Sequence, residues 1–250
     1  MKYKLRPSSS GRFLKCTASV QFPENPFSET TINLKGTLQH EVASLRLEQI
    51  YKGKDNQEII NKLMDYDNIY YGKDPKIKVQ WDKSCETAVD SYISLINRLY
   101  REYNIKEIYI EESVVLKFYE TEIRGKIDCA LVSDDYLFII DLKTGRIKVE
   151  TEDDPQILMY ALGFVQKLNK QGKLPQTIVI GISQEIIYNT ELISYSLNDM
   201  KEWYKKQAMP MWEINNDKLV YRPDQKACKY CVNNAKCNER IKQGIVVKIY

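Results

Sequence analysis

The sequence predicts a mixed α/β fold of the α+β kind: a central mixed sheet flanked by helices. Three observations carry this expectation. Apolar residues recur at helical spacing up to about residue 103. From Ile105 the apolar period shortens to two. Strand and helix patterns then alternate to about residue 208, the order of a sheet covered by helices.

Taken in order, Ser8-Ser9-Ser10 offer N-caps for a short helix that carries Cys16. Residues 20–35, rich in Pro, Asn, Ser and Thr, read as an ordered loop. A helix is expected from Thr37 to Tyr51, with His40 in its first turn. Residues 84–103 form an amphipathic helix whose stripe is Cys85, Ala88, Val89, Tyr92, Ile96, Leu99 and Tyr103. Three strands follow at Ile105–Phe118, Ile123–Val132 and Tyr136–Leu142. A helix is expected from Asp153 to Leu168, with Pro155 acceptable in its first turn. Strands at Thr177–Ser183 and Glu191–Leu197 precede a helix over 198–208 and a cysteine-bearing tail. No repeat and no convincing boundary divides the chain, so residues 1–250 read as a single domain.

A hydrophobic content of 43% and a charged content of 28% are those of a globular protein. No stretch approaches the ~18 apolar residues that span a bilayer, so no membrane partner is expected. The first residues, Met1 to Ser10, contain no apolar core of a secretory signal, which points to a cytoplasmic setting with reduced thiols. The net charge of +3 is too small to argue for nucleic acid. Arg222, Lys226, Lys229, Lys236, Arg240, Lys242 and Lys248 do make a basic neighbourhood around the last cysteines, compatible with phosphate contacts or with a solvated surface.

Those cysteines read C-x2-C-x5-C at Cys228, Cys231 and Cys237. Three thiols in a short loop grip one face of a metal or cluster, and Cys16 is the best candidate for a fourth ligand. Residues 8–20 and 222–242 would then meet at one site. Spacing alone leaves zinc and an iron–sulfur cluster equally open. Cys85 and Cys129 fall at core positions.

A second constellation lies between these ends. If Asp134-Asp135 form a two-residue loop, Ser133 faces Tyr136 and Asp128 lies opposite Asp141. Two opposed carboxylates repel, and a divalent cation reverses the sign of that interaction. Asp141 and Lys143 share a strand face, so an ammonium group stands beside the acids. Gln156 and Tyr160, four apart, share an edge of the next helix.

Gly36-Thr-Leu-Gln-His40, Gly125-Lys-Ile-Asp128, Asp141-Leu-Lys143 and Gln156-Ile-Leu-Met-Tyr160, in that order, resemble the RecB-type branch of the PD-(D/E)XK nuclease superfamily. With Cys16, Cys228, Cys231 and Cys237 outside them, the chain is similar to the four-cysteine 4Fe–4S members, which are CRISPR-associated or AddB-like, and to small phage-encoded relatives. The resemblance runs from about Ser8 to Arg240 and implies a restriction-endonuclease-like sheet. It further implies that His40, Asp128, Asp141 and the Leu142 carbonyl bind Mg²⁺ or Mn²⁺. Lys143 would assist the attacking water, Gln156 and Tyr160 would position DNA or the lysine, and the four cysteines would hold a 4Fe–4S cluster. Ile127 stands where the superfamily name has proline, as is usual in this branch. The expected activity is a metal-dependent DNA nuclease, an exonuclease on single-stranded ends. The alternatives are a non-catalytic DNA-binding accessory protein of the same fold and a zinc-stapled interaction module. No P-loop is present, so no ATP is implied.

Overall fold

The computed structural model describes residues 3–22, 29–229 and 231–247. After a 3-10 turn at Pro7–Ser9 comes a short helix, α1 (Ser10–Phe13). Then follow α2 (Thr31–Lys52), α3 (Gln57–Leu63), the strands β1 (Ile69–Tyr71) and β2 (Lys78–Gln80), and α4 (Lys83–Glu102). The main sheet is β3 (Glu107–Phe118), β4 (Thr121–Val132), β5 (Tyr136–Leu142), β6 (Thr177–Gln184) and β7 (Asn189–Ser196), with α5 (Pro155–Lys170) between β5 and β6. The chain ends with α6 (Leu197–Lys206), α7 (Ala208–Asn215), α8 (Gln225–Lys229) and α9 (Asn238–Lys242).

The five strands lie in the order β3-β4-β5-β6-β7, with β5 and β6 parallel and the other pairs antiparallel. The expected mixed sheet is therefore present. The parallel pair requires a crossover, and α5 supplies it. One face packs against α1, α5, α6 and α7 through Ile127, Ala130, Leu137, Ile139, Ile157 and Ile180. The other packs against α2 and α4 through Val42, Leu47, Val89, Ile96, Cys129, Phe138 and Ile140. Cys85 and Cys129 are both fully buried, as core positions should be. Among the described residues no helix is long and apolar enough to cross a membrane.

Two expectations are corrected. The segment 20–35 is not a loop throughout: residues 23–28 lie outside the described residues, and α2 already starts at Thr31. The Thr30 hydroxyl accepts the Asn33 N–H at 3.2 Å and caps the helix. His40 consequently lies well inside α2 rather than in its first turn. The helix expected over 198–208 is α6, and a further helix, α7, follows it directly. Pro210 is tolerated in the first turn of α7, where N–H groups have no intrahelical partner. The short elements α3, β1 and β2 carry too few apolar positions to register as a period.

Candidate active site

The β4–β5 hairpin has the expected register. Ser133 N–H donates to Tyr136 O at 2.9 Å, and Cys129 pairs with Ile140, so the same register sets Asp128 opposite Asp141. The two carboxylates do not simply face each other. Asp128 Oδ2 accepts the Leu142 N–H at 2.8 Å, which ties the end of β5 to β4. Asp141 turns instead to Lys143, with Oδ2 2.8 Å from Nζ. That oxygen is buried and makes no well-directed hydrogen bond. Leu142 itself is buried.

The β3–β4 ladder is interrupted where β3 passes Asp128. Glu111, opposite it, has φ 52°, in the left-handed region that a non-glycine residue seldom enters. Before this point Ile108 and Ile110 face α2 and α4; after it Val114, Leu116 and Phe118 face α5. On β4, Ile123 and Ile127 face α5 while Cys129 and Leu131 face α2 and α4. Positions of one parity thus point to opposite faces on either side of the Glu111–Asp128 pair. The switch brings both carboxylates to one spot, where His40 arrives from α2 with Nδ1 3.4 Å from Asp128 Oδ1. One ligand atom each from His40, Glu111 and Asp128 lies within 4.8 Å of the others. Lys126 pairs with the Glu111 carboxylate from outside.

Glu111 escapes the sequence reading because strand alternation assumes an unbroken ladder. Its one legible signal is the pair Glu111-Glu112, which breaks the Ile108-x-Ile110 pattern across from Asp128.

Two glycines permit this convergence. Gly36 lies one turn before His40, and a Cβ there would come 2.6 Å from Thr144 Oγ1. Only glycine lets α2 approach the loop after Lys143 so closely. A Cβ on Gly125 would lie 2.5 Å from Tyr160 Cε1 and 2.9 Å from Pro7 Cγ, because the Tyr160 ring crosses β4 at that point. Asp154 caps α5 by accepting the N–H groups of Gln156 and Ile157 at 2.9 and 3.0 Å. The cap fixes the first turn, so Gln156 Oε1 reaches Lys143 Nζ at 3.4 Å and Gln156 Nε2 reaches Tyr160 Oη at 3.4 Å. Tyr160, expected at the edge of the apolar stripe, is buried.

The electrostatics follow from this packing. Burial pushes the Asp141 carboxyl above its ordinary range; Lys143 opposes the shift and the nearby Asp128 carboxylate adds to it. Burial alone would lower Lys143, but Asp141 more than offsets it and holds the ammonium form. His40 shows the same contest, burial lowering and Asp128 raising, with a net upward shift. Burial pushes the Tyr160 hydroxyl up to about 12. The site is thus a cluster of acidic groups edged by two lysines, Lys143 against Asp141 and Lys126 against Glu111.

Cys16, Cys228, Cys231 and Cys237 line a single pocket with Arg12, Ser19 and Tyr221, and all four are free thiols. Burial, aided by the neighbouring thiols and opposed by backbone hydrogen bonds, leaves Cys16 and Cys228 shifted upward. A protein-only clasp stands beside them. Thr17 Oγ1 donates to Glu213 Oε2 at 2.6 Å, Arg222 clamps the same carboxylate through both terminal nitrogens, and Ala18 N–H donates to Val220 O at 3.1 Å. Of the basic residues there, Arg222 is spent on Glu213, Lys242 pairs with Glu239, and Arg240 donates to the carbonyls of Asn234 and Ile245. Lys248 lies outside the described residues.

A family model described as "Protein of unknown function (DUF2800)" matches residues 3–249. No curated protein matches the chain. Among solved structures, a protein of Eubacterium rectale named "Putative exonuclease" is similar at 14% identity and a TM-score of 0.48, covering 100% of this chain and 91% of its own. The structure of SSO0001 is similar at 12% identity and a TM-score of 0.36, covering 92% of this chain and 95% of its own.

Proposed function

We propose that this chain, which belongs to the DUF2800 family of proteins of unknown function, is a metal-dependent DNA nuclease, acting as an exonuclease on single-stranded ends. One observation carries the proposal: His40, Glu111 and Asp128 converge to within 4.8 Å beside the ion pair of buried Asp141 and half-buried Lys143. Carboxylates gathered so closely repel, and a divalent cation is the simplest group that makes the gathering favourable. Two carboxylates and an imidazole suit Mn²⁺ or Mg²⁺ with water in the remaining positions. Asp141 and the Leu142 carbonyl complete the proposed ligand set with His40 and Asp128, and Glu111 is added to it.

When bound, such an ion supplies a Lewis acid and a water of lowered pKa. The chain's own groups do the rest. Asp141 and Gln156 hold the Lys143 ammonium at the edge of the acidic cluster, where it orients the attacking water and offsets charge developing on the phosphate. Tyr160 supports Gln156 from below. Asp128, by accepting the Leu142 N–H, fixes the strand end that carries Asp141 and Lys143.

The four cysteines are proposed to hold a 4Fe–4S cluster. All four thiols line one pocket, and the resemblance to the four-cysteine members favours the cluster over the zinc alternative. Residues 1–250 are then one domain whose ends meet at this pocket.

The test is cleavage of labelled single- and double-stranded DNA with Mg²⁺ or Mn²⁺, beside Lys143→Ala and Asp141→Ala. Cleavage by the wild type alone is expected. Equal cleavage by all three proteins, or metal-dependent binding with no cleavage, would overturn the nuclease proposal. Iron and zinc content with visible absorbance decides the cofactor: a colourless, iron-free, zinc-loaded anaerobic preparation would rule out the cluster.

A further inference from the structure

The β6–β7 hairpin carries a strained and uncovered aromatic ring at the same end of the sheet as Lys143. The Lys143 N–H donates to Ser183 O at 2.9 Å, and after Gln184 the chain turns through a 3-10 turn at Glu185–Ile187 that packs on α4. The turn ends on Tyr188, whose φ of 53° and ψ of 36° are left-handed and whose side chain is 89% exposed. Glycine or asparagine suits this backbone far better than tyrosine. The tyrosine covers no core, so folding gains little from its ring. Strain of this kind gathers where a residue is kept for its function.

The loop that follows Lys143 is fastened to the same hairpin. Gln184 Nε2 donates to Gly145 O at 2.7 Å and to Ile147 O at 2.8 Å, and its Oε1 accepts the Val149 N–H at 3.1 Å. Asn189 Nδ2 donates to Val149 O at 3.0 Å. Both side chains are buried, so the clasp is part of the core rather than a surface contact. It fastens the backbone of Ile147, a residue 57% exposed, to the end of the strand that leads into Ile186 and Tyr188, 40% and 89% exposed. Lys148 is neutralised by Glu150 and Glu191, each at 3.3 Å. The rim therefore offers apolar and aromatic surface together with one exposed cation, Arg146.

A flat ring face beside a single cation suits an unpaired nucleobase and its phosphate. Resting on the nuclease proposal above, we propose that Tyr188 is a stacking platform that holds single-stranded DNA leading to the acidic cluster. Aromatic side chains bind unpaired bases with little regard to sequence because every base has a π face. In a duplex those faces are already stacked on each other. The platform would therefore select single strands.

The test is fluorescence anisotropy of a labelled single-stranded oligonucleotide and its duplex, with Ca²⁺ in place of Mg²⁺ or Mn²⁺ to suppress cleavage. The proteins are the wild type, Tyr188→Phe and Tyr188→Asn. Asparagine accepts the left-handed backbone, so it removes the ring without adding strain. Tyr188→Phe should bind single strands within about twofold of wild type, and Tyr188→Asn roughly tenfold more weakly. Duplex binding should be unchanged. The ratio of wild type to Tyr188→Asn should stay flat as salt rises from about 50 to 200 mM, because stacking releases no counterions. Equal single-strand affinity of wild type and Tyr188→Asn would overturn the platform; with metal-dependent cleavage intact, it would leave the nuclease proposal standing. Tyr188-dependent binding without cleavage in any divalent metal would support the platform and remove the nuclease. A wild type that neither binds nor cleaves single strands would end both.

Discussion

Replacing Gly36 with alanine moves the proposed active site without touching any of its ligands. Helix propensity alone favours the change by about 1 kcal/mol, since Gly36 lies inside α2. Packing opposes it. The new Cβ would lie 2.6 Å from Thr144 Oγ1, so α2 or the loop must give by about 0.8 Å to reach ordinary contact at 3.4 Å. Overpacking of this kind costs about 1–3 kcal/mol, so the net effect should be about 0–2 kcal/mol destabilising. Removing the hydroxyl should relieve it, because the next nearest atom, Thr144 Cβ, is at 3.7 Å. Gly36→Ala in a Thr144→Ala background should therefore stabilise by about 1 kcal/mol, giving a coupling of at least about 1 kcal/mol between the positions. His40 rides on the next turn, 3.4 Å from Asp128, so Gly36→Ala alone should also weaken metal binding and the double variant should restore it. Urea unfolding of the four proteins and calorimetric Mn²⁺ titration read both effects. If Gly36→Ala by itself raises stability by about 1 kcal/mol and binds Mn²⁺ as the wild type does, the close approach of α2 to Thr144 is not what sets His40 in place.

Two further outcomes follow from the same geometry. Glu111→Asn keeps a residue that tolerates φ 52° but removes the carboxylate and its pairing with Lys126; thermal stability should hold or rise while Mn²⁺ affinity falls about tenfold or more, and unchanged affinity in the titration would exclude Glu111 as a ligand. Glu213 is held below its ordinary value of 4.5 chiefly by Arg222, so the stability it contributes is complete above that value and is lost as pH falls through the depressed folded value. Glu213→Gln should lower stability at neutral pH by about 1.5–3 kcal/mol, with the gap to wild type closing in acid; thermal melts at neutral and acid pH that show a pH-independent gap would contradict this account of the clasp.

Much of the site is written in local sequence. The β4–β5 register follows from the two-residue loop at Asp134-Asp135, which counts Asp128 to Asp141 without reference to the rest of the chain. Asp141 and Lys143 share a face because strand alternation is local, and Gln156 and Tyr160 share an edge because helix geometry is local. The amphipathic stripe of α4 and the strands of the sheet are legible for the same reason.

What local periodicity does not contain is where two elements distant in sequence touch. The left-handed kink at Glu111 coincides with a reversal of the inward face of both strands, at the one position where the β3–β4 pairing skips a pair. His40 reads as a first-turn residue until the Thr30 cap and the Gly36–Thr144 contact set α2 in register and depth. Tyr188 carries no signal in the sequence, and its exposure is set by the turn that ends β6, the strand whose Ser183 carbonyl accepts the Lys143 N–H. Sequence determined which groups this protein has and how neighbours along the chain align; tertiary structure alone decided which of them meet, because a contact between separate elements depends on packing distances of tenths of an ångström that no local pattern records.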